Sequence, residues 1–352
     1  MRFHLCHPLS AIVFVSFVCV ATFAHAQETA EETKVDLPKR WVLIACGLPG
    51  DDEHRVRLTK ACRQLISGAE TTLGASPEQI RILAGDETMK NDLANEAIDV
   101  GICTKETMPA TLSELGGLAQ RRDGCWVFLL GHSHLYGLES KFNVAGPDFH
   151  QAEFAQWAEV IQCQEQVFWV TMPVSGFWIK PLSNDTRVIV SATEADAEFT
   201  GTEMPYALAS HLAGSGDYYQ LEDVDKDRSL SLLDLYLSVN LEIDATFKTL
   251  DRLQTEHAQL EDNGDGRGKE VQLPYLPVVV EDPEVTEDDE DVTEEIAAED
   301  EEPNEDEAAS NDDASVEETP INPFGVRPEV TIQFESNMDG YRAQRILLRR
   351  PQ

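Results

Sequence analysis

The chain has 352 residues, with 65 Asp and Glu against 27 Lys and Arg, a formal net charge of −38 and 42% hydrophobic residues. That charge excludes a nucleic-acid binder, which needs a basic surface to displace counterions from phosphates, while the apolar content is enough for a sizeable core. Seven cysteines in this length are too few for a disulfide scaffold.

At the N terminus Arg2 precedes an apolar run from Ala11 to Phe23, followed by the small-x-small triplet Ala24-His25-Ala26. This is the pattern of a secretory signal over residues 1–26, and the run is shorter than the ~20 residues needed to span a bilayer. The expectation is an exported chain, periplasmic or extracellular, with no stable membrane span once the signal is cleaved. Residues 27–38 read as a linker.

From Arg40 apolar runs alternate with amphipathic stretches. "WVLIACG" (41–47), "QIRILAGD" (79–86), "CWVFLLG" (125–131), "QVFWVT" (166–171) and "RVIVSAT" (187–193) read as buried strands. Residues 53–69, 108–122, 151–162 and 204–214 carry helical spacing. Continuous apolar strands separated by helices predict an α/β domain over 39–216, a mostly parallel sheet covered on both faces. Cys46, Cys62, Cys103, Cys125 and Cys163 sit mostly within apolar stretches and read as core residues or as one or two bridges; five thiols leave at least one unpaired.

Residues 217–275 read as a polar loop followed by a long helix from Leu230 to about Leu253. Residues 276–320 form an acidic segment: 281–318 hold 21 Asp and Glu with no Lys or Arg, too few apolar groups to offset chain entropy, so disorder is expected. Residues 321–352 read as a hairpin turning at Asp339-Gly340 and docking back on the core. Nothing in the sequence specifies an oligomeric state.

In parallel sheets ligands bind beyond the carboxyl ends of the strands, so the loops after Gly47, Gly131, Thr171 and Thr193 carry the candidate chemistry. His132 follows Gly131 directly, where an imidazole can carry protons. "TMPVSG" follows the fourth strand, and "GLPGDDEHR" follows the first, with Asp51, Asp52, His54 and Arg55 at the start of a helix.

These motifs, in this order, are similar to those of the caspase-like peptidases, and within them to the legumain branch, over about residues 40–215. The resemblance implies a caspase-like three-layer sandwich with His132 as general base and Ser175-Gly176 as the Ser-Gly that follows the nucleophile. It also implies a primary pocket lined by an Arg-His pair, here His54 and Arg55, with Asp52 and His134 as further pocket residues. Pro173 falls at the nucleophilic cysteine position and cannot form a thioester. Ser175, two residues on, is the alternative nucleophile if the segment is extended and points it toward His132. Zinc on His132, His134 and His150 with Asp51 or Asp52 is a further alternative.

"DVDKDRSLSLLD" (223–234) places oxygens at the spacing of an EF-hand calcium loop: Asp223, Asp225, Asp227, the carbonyl of Ser229, Ser231 and Asp234. Arg228 stands in place of glycine and Asp234 in place of glutamate; both weaken the site, and extracellular Ca2+ tolerates weak sites. "EDNGDGRG" (261–268) is either an ordinary turn or a partner ligand set. The leading expectation is a catalytically inactive binding or scaffolding protein, with a calcium-loop-type helical extension and a peptide or protein ligand in the strand-end cleft. A peptidase-type hydrolase using Ser175 with His132, and an acidic segment that gathers cations or basic partners, stand as alternatives.

Overall fold

The computed structural model describes residues 38–94, 97–196, 198–271 and 336–349. The expected signal (1–26), most of the linker and the whole of the acidic segment lie outside them. The central sheet has seven strands: β1 (Arg40–Cys46), β2 (Ile80–Ala84), β3 (Asp99–Ile102), β4 (Gly124–Leu130), β8 (Glu165–Val170), β9 (Arg187–Ser191) and β10 (Gln259–Glu261). Between β4 and β8 a small antiparallel sheet is built from β5 (Ser133–Tyr136), β6 (Glu139–Phe142) and β7 (Phe149–His150).

The strand order is β10-β9-β8-β4-β1-β2-β3, parallel throughout except for β10. Alternation along β1 shows how both faces are filled. Val42 and Ile44 point into one apolar cluster, with α1 (Asp52–Thr71), α2 (Glu87–Leu93), α6 (Met204–Leu212) and α7 (Leu232–Thr249). Leu43 and Ala45 point into the other, with α3 (Thr107–Leu118), α4 (Gln151–Ala158) and α5 (Ile179–Leu182). Strands buried on both faces must be apolar at every position, which is why they were readable as unbroken runs. This is the helix-flanked, three-layer α/β sandwich expected from the sequence.

Two features set the site's frame. From β1 the order runs outward through β2 and β3 on one side and through β4, β8 and β9 on the other, so a crevice opens beyond the carboxyl ends of β1 and β4. Close packing of α1 on α6 depends on Gly68, where a Cβ would lie 2.6 Å from the Leu212 Cβ.

Several elements differ from expectation. The long helix is Leu232–Thr249, shorter than 230–253, because Asp251 turns into the left-handed region (φ 49°). Strands β3 and β10 and helix α2 are short and half-polar, and gave no periodic signal. The five cysteines are buried and free, so they fill the core without bridging. The first arm of the hairpin expected at Asp339-Gly340 lies outside the described residues, and after Gly340 the chain is not a strand. The buried Asp262 carboxylate instead accepts the N–H groups of Gly340, Arg342 and Ala343, which fixes a turn leading into a 3-10 helix at Ala343–Arg345. The segment does dock on the core: Leu348 donates its N–H to Leu230 and Arg349 to Thr72, and the buried Arg40 guanidinium reaches the Leu347 carbonyl. No helix among the described residues is long and apolar enough to cross a membrane.

Candidate functional site

The loop after β1 turns into α1 through Asp51, whose carboxylate caps the helix by accepting the His54 N–H (2.8 Å) and contacts His54 Nδ1 (2.9 Å). These bonds hold the Asp51 carboxyl below its ordinary range. Gly131 ends β4 at φ 131°, and a Cβ there would lie 3.1 Å from the Gly47 amide nitrogen, so the turn that delivers His132 to the first loop requires glycine. His132 Nε2 sits 3.0 Å from the Pro49 carbonyl, which places a proton on that nitrogen. The His54 and His132 rings meet edge to face, centroids 5.0 Å apart.

Both imidazoles line a cleft of about 400 Å³, within the ~300–1,000 Å³ range of ligand pockets. Arg57, one turn along α1 from His54, lines it as well, together with Glu203 and Tyr206. The Arg57 guanidinium stacks 3.7 Å from the Tyr206 ring centroid and pairs with Glu203 at 2.6 Å. Sequence reading missed these three. Residues 54, 57 and 58 share one helical face, and that spacing was the available signal for Arg57. Glu203 and Tyr206 come from α6 and its N-terminal edge, and only the fold brings them here.

Other expected pocket residues lie elsewhere. Arg55 turns away to ion pairs with Asp86 (2.8 Å) and Asp52. His134, exposed on β5, bonds Asn143 Oδ1 (2.7 Å), and His150 caps α4 by accepting the Ala152 N–H. With His132 held at Pro49, the three imidazoles serve three separate local structures and do not converge.

The turn after β8 departs from the extended geometry that would aim Ser175 at His132. Val174 adopts φ 48°, ψ 29°, in the left-handed region, and a 3-10 helix starts at Ser175. The Pro173 carbonyl accepts the Ser133 hydroxyl. Ser175 is wholly buried, and its Oγ accepts the N–H groups of Ala192 (2.9 Å) and Thr193 (3.1 Å). No hydrogen bond joins it to His132. The serine ties β9 to the turn and presents no face to the cleft.

The acidic loop has the oxygen cluster its spacing implies. Asp223, Asp225 and Asp227 bring ligand oxygens within 4.8 Å of one another and could hold a metal ion; no other such group of three occurs among the described residues. Arg228 takes φ 69°, the left-handed turn that glycine usually supplies there. Asp234 is fully buried and accepts from the N–H groups of Val224 (2.7 Å), Asp225 (3.2 Å) and Ser231 (2.8 Å). Desolvation, then the neighbouring Asp234 and Asp227 charges, push Asp225 up to about 7; desolvation pushes Asp234 up to about 6. A bound cation would relieve both penalties, and the Ser229 hydroxyl, buried and without a hydrogen-bond partner, lies in the same loop.

The turn at 261–268 is a separate centre. Asp262 holds the C-terminal segment, while Glu261 Oε1 accepts from Gly264 (2.7 Å). Neither joins the three-aspartate group.

No family model matches the chain, and no curated protein matches it. Among solved structures the chain is similar, over 51% of its length, to the crystal structure of Chaetomium thermophilum Raptor, at 9% identity and a TM-score of 0.33. That match covers 18% of the Raptor chain.

Proposed function

We propose that this is an exported, catalytically silent domain of the caspase-like type that binds a peptide or protein ligand in the crevice beyond β1 and β4. One observation carries the reading. The turn where a strand-end nucleophile would stand has Pro173, and the nearest hydroxyl, Ser175, is buried with two backbone N–H groups on its oxygen. A nucleophile must reach both its base and its substrate, and Ser175 reaches neither. The cleft keeps an imidazole pair, a stacked guanidinium and apolar walls, which suit recognition without bond breaking.

The three-aspartate loop acts in this reading as a structural Ca2+ site. Oxygen-only ligands suit a hard cation, and an extracellular setting supplies calcium at the concentrations a weak loop needs. The acidic segment then serves as a solubilising connector.

The test incubates the chain from Gln27 onward with Ca2+, a broad peptide library and a serine-directed fluorophosphonate, beside Ser175→Ala and His132→Ala. The expected result is no cleavage and no labelling. Turnover lost in both variants would make this a serine hydrolase and end the reading.

A further inference from the structure

The mouth of the cleft carries chemistry that the two imidazoles do not supply. After α7 the chain turns at Asp251 and runs without regular structure to β10, placing Leu250, Arg252, Leu253 and Thr255 along the cleft wall. Leu253 is 90% exposed and Leu250 49%; Phe199, next to the cleft residue Thr200, is 60% exposed.

This wall is pinned. Thr255 Oγ1 lies 2.8 Å from Thr200 Oγ1, the Glu256 carboxylate accepts the N–H groups of Glu203 (2.7 Å) and Met204 (2.9 Å), and the Arg252 N–H reaches the Phe247 carbonyl (3.0 Å). Large apolar side chains held in water on an anchored segment beside a cavity mark a contact surface.

Charge narrows the partner. Of the polar side chains lining the cleft, the Arg57 guanidinium pairs with Glu203 and the His54 ring is bonded to Asp51. The Arg252 guanidinium has no ion pair or hydrogen bond among the described residues. In a chain of net charge −38, an unpaired arginine set between two exposed leucines is a docking point for an anion. A guanidinium fits a carboxylate edge-on, with two parallel N–H···O bonds.

We propose that the cleft mouth binds a short segment of a partner protein in which an Asp or Glu side chain lies beside a large apolar one. The carboxylate rests on Arg252, the apolar side chain covers Leu250, Leu253 and Phe199, and a neighbouring side chain enters the cavity. This rests on the reading of the crevice as a binding cleft.

The test is fluorescence polarisation of an array of labelled hexapeptides pairing Asp or Glu with Leu or Phe, matched to Asn and Gln versions. The expected result is binding of the acidic set about tenfold tighter, weakening with salt. Arg252→Ala removes the preference and Leu253→Asp weakens every peptide. Both positions are exposed, and circular dichroism confirms that the variants fold. Equal binding of the two sets, a preference that survives Arg252→Ala, or binding that appears only when residues 281–318 are deleted overturns this inference and leaves the silent cleft standing. Peptide cleavage, read by mass on the same array, overturns the silent cleft itself.

Discussion

Gln344 Nε2 lies 3.2 Å from Asp225 Oδ2, so a residue near the C terminus is bonded to the centre of the three-aspartate loop. Backbone pairing of Leu230 with Leu348 and of Leu232 with Ile346 runs alongside. Cation binding and docking of the C-terminal segment should therefore be one event. Calcium in excess over EDTA is expected to raise the melting temperature by several degrees, since a ligand at 100 times its Kd adds ~2.7 kcal/mol. Asp227→Ala should abolish that rise in differential scanning calorimetry, and an equal response to EDTA and Ca2+ in the parent would count against the site.

Arg228 holds a left-handed conformation that costs a residue with a Cβ roughly 1 kcal/mol. Arg228→Gly should relieve that cost with or without calcium and raise stability by about 1 kcal/mol, measured by urea unfolding. Substitution at the neighbouring left-handed Lys226 gives a comparison outside the ligand set.

Ser175→Ala removes the acceptor for two buried N–H groups. The expected loss is ~1–3 kcal/mol of stability in urea unfolding. No activity should change, because none is assigned to this hydroxyl.

Glu256 is buried, and desolvation pushes its carboxyl up to about 8 from an ordinary value of 4.5, despite bonds from two backbone N–H groups. A carboxyl raised on folding favours the protonated folded state. Its contribution is fully present below pH 4.5 and is lost as pH rises toward 8. Unfolding free energy should fall across that window in the parent and stay flatter in Glu256→Gln.

The sheet was legible because parallel strands covered on both faces are apolar at every position, as in Trp41–Cys46 and Cys125–Leu130. The edge strands were not: β3 is half-exposed, and β10 is three residues long. For the site, His132 and His54 could be found because strand ends and helix starts leave marks in sequence. Arg55 stands out over Arg57 in the sequence because adjacency to His54 is visible in one dimension and the facing direction of a helical residue is not. The burial of Ser175 leaves no mark in the sequence, because the left-handed turn at Val174, a β-branched residue that gives no hint of it, ends the extended segment. The acidic loop was the most readable feature, since its ligand spacing is local.

The return of residues 336–349 to the core means that the described chain on either side of the acidic stretch belongs to one folded body. Backbone cleavage within 281–318 would then leave two polypeptides joined by the Arg40–Leu347 bond, the Asp262 contacts and the Leu230–Leu348 pairing. Such a nicked molecule would run as two bands under denaturing conditions and elute as one species from a sizing column, a heterodimer made from a single gene product.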